Sequence, residues 1–236
     1  MELRLKVTLA TDVGLQREHN EDAVAIDGHA VQHDHGEPIT RELVVATPVR
    51  VVVCDGMGGH RGGRAASMLT ATQLSRPGAR YEAEFQRVSE LLISLGLQEP
   101  SLYQMGTTAV LLEARPDGSA SVLHVGDSRA YLADPELARL TLDDRVSAER
   151  SVLTQALGGC PATLRVHRYD FNLYRRQRVL LCSDGLVDMA TDEQIEQLIQ
   201  RADAARELVE LAIQAGAYDN VTVAVIEVLD SPRERG

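Results

Sequence analysis

Apolar residues fall into two kinds of run along the 236-residue chain. Short stretches that are β-branched or alternate with polar positions, and that end in turn residues, read as strands. They lie at 3–12 (LRLKVTLATD), 23–27 (AVAID), 43–54 (LVVATPVRVVVC), 106–114 (GTTAVLLEA), 120–125 (ASVLHV) and 129–133 (RAYLA). Two more fit within 164–184, and NVTVAVIEV at 220–228 reads as the last. PDGS, between 106–114 and 120–125, signals a hairpin. Helical spacing marks 64–75 and 80–97; in the second, Tyr81, Phe85, Val88, Leu91, Leu92 and Leu95 share one face. Thr191 followed by Gln194 fits a capping box and opens a helix to about residue 201. Asp203 is placed to cap another, through Leu211 to Gln214. SVLTQALGG (151–159) reads as a short helix ended by glycine, ARLTLDD (138–144) as a short strand, and the polar, turn-rich 28–42 as a surface loop.

The order is therefore strands, two helices, strands, two helices, strand. That pattern predicts an α+β fold with mainly antiparallel pairing rather than alternating βαβ units. No linker or repeat interrupts it, so residues 1–236 read as a single domain. Composition refines the picture slightly: 44% of residues are hydrophobic but only 3% aromatic, with no Trp, so aliphatic side chains must fill the core. A formal net charge of −11 argues against nucleic acid as a partner, because phosphate contacts need clustered Lys and Arg. Three cysteines (Cys54, Cys160 and Cys182), with no CxxC, fit neither a disulfide framework nor a cysteine zinc site. The N-terminal MELRLKVTLATD lacks the pattern of a signal peptide, and no run approaches the ~20 apolar residues of a membrane span. A cytoplasmic protein is expected.

The chemistry collects where strands end. VVVCDGMGGHRGG (51–63) closes an apolar run with Asp55 and then places five glycines in eight residues. Glycine permits sharp turns and close backbone approach at a cost in folding entropy, so something approaches this backbone. VLLCSDG puts Asp184 in the same context, VLHVGDS sets Asp127 just beyond a strand, and GAYDNVTVAV sets Asp219 just before one. Glu21 and Asp22 lie in REHNED between the first two strands. Any one Asp–Gly pair is ordinary turn chemistry. As a set, carboxylates at one rim of a sheet suit hard divalent cations, and two such ions can bind a phosphate and activate a water.

In order, the motifs ATDVGLQREHNED, VVVCDGMGGH, GTTA, HVGDSRAYL, LTQALGG, CSDGL and YDNVTV resemble the metal-dependent type 2C protein serine/threonine phosphatases in their bacterial form, over roughly residues 6–228. The resemblance implies a four-layer α-β-β-α sandwich of two antiparallel sheets flanked by helices. It also implies two or three Mn²⁺ or Mg²⁺ ions in a cleft at one end. Carried over by position, Asp55 would bridge two ions and the Gly56 carbonyl would bind one of them. Asp184 and Asp219 would complete the first ion, Glu21 and Asp22 the second, and Asp127 with Asp184 a third. Arg17 would bind the substrate phosphate, and Asn220 would support the site. The implied reaction is hydrolysis of phosphoserine and phosphothreonine by direct attack of a metal-bridging water, on a protein phosphorylated by a serine/threonine kinase. Cys54 and Cys182 are then packing residues.

The match departs in places. Met57 stands where eukaryotic relatives have a histidine; His60 is near enough in sequence to donate a proton instead, or to be a loop residue, with a metal-bound water as a third option for the donor. Arg64 stands where bacterial members often have glutamate and reads as a loop charge. Between Leu140 and Gly158 the family's mobile flap is much shortened, with Asp144 where a histidine would be. His29, His33, Asp34 and His35 cluster in an added loop that reads as solvated, a transition-metal site being the alternative. Two other readings stay open: a catalytically silent domain that binds phosphopeptide or a partner, and a small-molecule phosphatase.

Overall fold

The computed structural model describes residues 2–58, 60–76, 81–146, 149–159 and 164–234. Along the chain, β1 (Arg4–Asp12) leads to β2 (Ala23–Ile26), β3 (His29–Val31), β4 (Ile39–Val44) and β5 (Val49–Cys54). The short β6 (Gly56–Met57) precedes α1 (His60–Leu74) and α2 (Tyr81–Gln98). Then come β7 (Gly106–Thr107), β8 (Ala109–Ala114), β9 (Ser119–Val125), β10 (Arg129–Asp134) and β11 (Glu136–Arg139). Next are β12 (Arg145–Val146), β13 (Glu149–Leu153), β14 (Leu157–Gly158), β15 (His167–Asn172) and β16 (Arg178–Cys182). The short α3 (Asp184–Val187), α4 (Asp192–Ile199), α5 (Ala204–Gln214) and β17 (Val221–Asp230) complete the order.

Two six-stranded antiparallel sheets carry the fold, one in the order β11-β10-β16-β17-β1-β4 and the other β15-β9-β8-β5-β2-β3. Period-two alternation sends each strand's side chains into two different cores. From β17, Ala224, Ile226 and Val228 enter the core between the sheets, whereas Val221, Val223 and Val225 face α4 and α5. From β5, Val51 and Val53 enter the same central core, while Val52 and Cys54 pack under α1 and α2 with Phe85, Val88 and Leu92. Burial on both faces is why these strands read as continuous apolar runs. The result is the α-β-β-α sandwich that the resemblance implies.

Several boundaries differ from expectation. The run 43–54 is two strands in different sheets, β4 and β5, broken around Pro48. Proline cannot donate to a ladder, so the chain changes sheets there. The stretch 28–42 is not all loop, since it holds β3 and most of β4, an edge strand whose exposed polar residues hide it from pattern reading. Residues 151–159 form no helix: they run from the end of β13 through β14, and β14 pairs with β7. The capping box at Thr191 and Gln194 is present. Asp203 holds the N-cap position of α5 without a side-chain cap hydrogen bond. Cys160 lies outside the described residues, while Cys54 and Cys182 are buried and free.

Candidate active site

The ends of β5, β9 and β16 and the start of β17 meet at one rim of the sandwich. Around them opens a cleft of about 900 Å³ whose lining includes Arg17, Glu21, Asp55, Gly56, Asp127, Asp184 and Asp219. Seven of the eight residues expected there therefore share one wall. The eighth, Asp22, is buried directly behind it, where its Oδ2 accepts from the Ser183 hydroxyl at 2.7 Å and its Oδ1 has no partner among the described residues. Asp55, Asp127 and Asp184 come closest together: each presents a carboxylate oxygen within 4.8 Å of the others'.

Neighbouring residues fix these positions. The backbone of Asp55 is held from both sides by the GTTA segment: its N–H donates to Thr108 Oγ1 at 3.0 Å, and its carbonyl accepts from Thr107 Oγ1 at 2.8 Å. Gly126 (φ +105°) turns the chain out of β9, a conformation that favours glycine, and Asp127 follows it into the cleft. At Gly56 an added Cβ would stand 2.2 Å from the Gly63 carbonyl oxygen, and at Gly63 one would stand 1.9 Å from Glu21 Oε2. Gly56 and Gly63 are thus required by the close approach of strand, helix and the Glu21 loop. Asn220 supports that loop, accepting from the Glu21 N–H at 2.8 Å and donating to the Val13 carbonyl at 2.9 Å.

Crowded carboxylates repel one another, and burial adds to the cost of their charge. Burial and then the neighbouring Asp22 and Asp184 hold the Asp55 carboxyl well above the usual carboxylate range. Burial pushes Asp22 up to about 7, against the pull of the Ser183 hydroxyl. Asp184 is likewise pushed up to about 7, first by burial and then by Asp127. A site that penalises negative charge so strongly, built from oxygen donors with one buried orphan oxygen, fits a hard divalent cation.

No protein-family model matches the chain. It is 34% identical to the serine/threonine protein phosphatase PstP of Mycobacterium tuberculosis, across 97% of the chain and 46% of that protein. The chain thus spans about half the length of the mycobacterial relative. It is 28% identical to the serine/threonine phosphatase stp of Listeria welshimeri, across 92% of the chain and 93% of that protein. The solved catalytic domain of PstP in complex with two manganese ions is 30% identical, with a TM-score of 0.77, and is matched over its whole length by 97% of this chain. The chain belongs to the bacterial serine/threonine protein phosphatases of the 2C type.

Within this family frame the cleft also holds residues that sequence reading missed. Arg145, Asp188, Tyr218 and Thr108 line it. Asp188 follows Asp184 by four positions, a spacing that could have flagged it, and accepts from the Tyr218 hydroxyl at 2.6 Å. Arg145 gave no sequence signal. It lies in the segment read as a shortened flap, which is the β12–β13 hairpin, and Val152 and Leu153 of that hairpin line the cleft. Arg64 is not a loop charge: it sits in α1 and pairs with Asp34 at 3.3 Å. His29, His33, Asp34 and His35 do not converge on a common point among the described residues; His35 pairs with Asp12 at 3.0 Å and Asp34 with Arg64. The side chain of His60 lies outside the described residues.

Proposed function

We propose that the chain is a metal-dependent phosphatase that hydrolyses phosphoserine and phosphothreonine in proteins phosphorylated by a serine/threonine kinase. The observation that carries this reading is the convergence of Asp55, Asp127 and Asp184 in a cleft that also presents Arg17. The family supports it, as do the two manganese ions in the solved PstP catalytic domain. Asp55, Asp184, Asp219, Glu21, Asp22 and the Gly56 carbonyl would hold two Mn²⁺ or Mg²⁺ ions, and Asp127 with Asp184 would be the pair to hold any third. Bound there, such ions neutralise phosphate charge and lower the pKa of a coordinated water.

The chain's own residues supply the rest. Arg17 is half exposed at the cleft mouth, and its Nη2 donates to Asp219 Oδ2 at 2.7 Å. That bond comes first among the causes that raise its pKa, so it stays charged across the physiological range. Its planar fork suits the non-bridging oxygens of a phosphate monoester. Asp219 orients the fork, and Asn220 holds the Glu21 loop beneath it. No side-chain nucleophile is required. Cys54 and Cys182 are fully buried, and burial pushes both thiols well above their usual range, so they pack rather than react.

A role in cytoplasmic signalling, within one domain spanning 1–236, belongs to the same reading. Two buried free thiols suit a reducing compartment, and among the described residues no helix is long and apolar enough to cross a membrane. The deciding experiment is hydrolysis of a phosphothreonine peptide by the purified protein with Mn²⁺, with Mg²⁺ and with excess chelator. Turnover that requires metal is the expected result. Metal-independent or absent turnover on peptides, with hydrolysis of sugar phosphates instead, would move the chain to small-molecule substrates.

A further inference from the structure

Arg145 stands where three acids meet. Its Nε pairs with Asp127 Oδ2, its Nη2 with Asp184 Oδ2 at 2.6 Å, and its Nη1 lies 3.7 Å from Asp188 Oδ1. The side chain is only 11% exposed, so this is a seated guanidinium rather than a surface ion pair. Asp127 and Asp184 are also two of the three acids whose oxygens converge within 4.8 Å. The same two carboxylates thus belong both to the acid cluster and to the seat of a cation carried by the chain itself. A divalent ion bound between Asp127 and Asp184 would have to share these two carboxylates with Arg145, and would sit against its positive charge.

The way Arg145 arrives adds weight. It begins the β12–β13 hairpin, in which Arg145 pairs with Leu153, and Leu153 and its neighbour Val152 line the cleft. Seating the guanidinium therefore also seats the hairpin over the site. A guanidinium remains charged throughout the physiological range, and as part of the chain it is always present at a fixed, high effective concentration. A weakly held ion is present only when its concentration allows.

We propose that Arg145 is a tethered cation that occupies the Asp127–Asp184 position, so that the chain binds two divalent ions rather than three and closes the β12–β13 hairpin over its cleft without help from a metal. This rests on the metal-dependent reading above. Asp127 and Asp184 then neutralise a side chain, and Asp188 is the third arm of its seat. Two consequences follow: removing the guanidinium vacates a binding position with its acids intact, and it frees the hairpin.

The test is Mn²⁺ binding counted by equilibrium dialysis and calorimetry on the wild type, on Arg145→Ala, and on Arg145→Ala combined with Asp127→Asn. Two ions per chain are expected for the wild type, three for Arg145→Ala, and two again for the double variant. Hydrogen exchange of the 145–153 backbone supplies a readout independent of turnover, and it should become several-fold faster in metal-free Arg145→Ala. Arg145→Lys keeps the charge and should stay at two ions, which separates loss of the cation from loss of packing. Three ions on the wild type would overturn the proposal without reference to any variant. Equal counts on wild type and Arg145→Ala would overturn it as well, leaving the phosphatase reading intact if turnover still requires metal. No bound ion on any protein would overturn both.

Discussion

Asp55 and Thr108 hold each other by two hydrogen bonds: the Asp55 N–H donates to Thr108 Oγ1 at 3.0 Å, and the Thr108 N–H donates to the Asp55 carbonyl oxygen at 2.9 Å. The central acid of the cluster is thereby fixed to the start of β8 rather than left on a flexible glycine loop. Thr108 Oγ1 also lies 2.6 Å from Ser128 Oγ, which ties the segment after β9 to the same anchor.

Thr108→Val keeps the branched shape and removes the acceptor, leaving a part-buried N–H unpaired. A stability loss of about 1–3 kcal/mol is expected from that alone. Because Asp55 then loses one of the three hydrogen bonds that fix its backbone, kcat should fall by roughly 10-fold while KM changes little. Urea denaturation and steady-state kinetics on a phosphopeptide check the two effects. A variant with normal kcat would show that the anchor is structural only.

Asp55→Asn separates charge from shape. In the metal-free protein this part-buried carboxyl stands close to Asp22, Asp184, Asp127 and Asp219, so its loss relieves repulsion. The variant should be at least as stable as the wild type in chelator, yet inactive by on the order of 10³-fold with Mn²⁺. Comparing melting temperatures with and without Mn²⁺ adds a second readout, because the stabilisation that Mn²⁺ gives the wild type should shrink in the variant. Full activity in Asp55→Asn would remove it from the site.

Arg17 makes the opposite case. Its side chain is 53% exposed, and its pair with Asp219 faces solvent, so Arg17→Ala should change stability by less than about 0.5 kcal/mol. The kinetic effect should fall mainly on KM for the phosphopeptide, with kcat much less affected. Unchanged KM and kcat together would exclude Arg17 from substrate binding.

The acids of the cluster were legible because each adjoins an apolar strand whose period-two pattern marks where it ends. Asp55 and Asp184 follow β5 and β16, and Asp219 precedes β17. Arg145 was not legible, because its partners lie 18 and 39 positions away and its own segment has no periodicity. The misread helix at 151–159 has a related cause. Leu, Gln and Ala are good helix formers, but Leu157 and Gly158 pair with Thr107 and Gly106, and tertiary pairing overrode local preference. In the same way, LVVATPVRVVVC looks like one strand because both halves are apolar, and only Pro48 records the change of sheet.

His124 gives the protein a pH dependence of its own. It sits on β9, is 1% exposed, and neither ring nitrogen has a hydrogen-bond partner among the described residues. The His167 ring lies 5.8 Å away and is itself paired with Asp144 at 3.0 Å. Burial lowers the His124 pKa to about 4, against the attraction of Asp144. The folded value is below the unfolded one near 6.5, so between these two values the unfolded chain binds more protons. Stability from this residue is therefore complete above about pH 6.5 and drains away as the pH falls toward 4, amounting to about 2 kcal/mol by pH 5. Asp22 and Asp184 act in the reverse sense in metal-free protein, since their folded values near 7 lie above the unfolded ones and favour the folded state as pH drops. Comparing wild type with His124→Leu in chelator cancels that contribution. The stability of His124→Leu relative to wild type should rise by about 2 kcal/mol between pH 7 and pH 5, as read by urea denaturation; a difference that stays flat over this range would mean that His124 finds a partner for its proton in the folded protein.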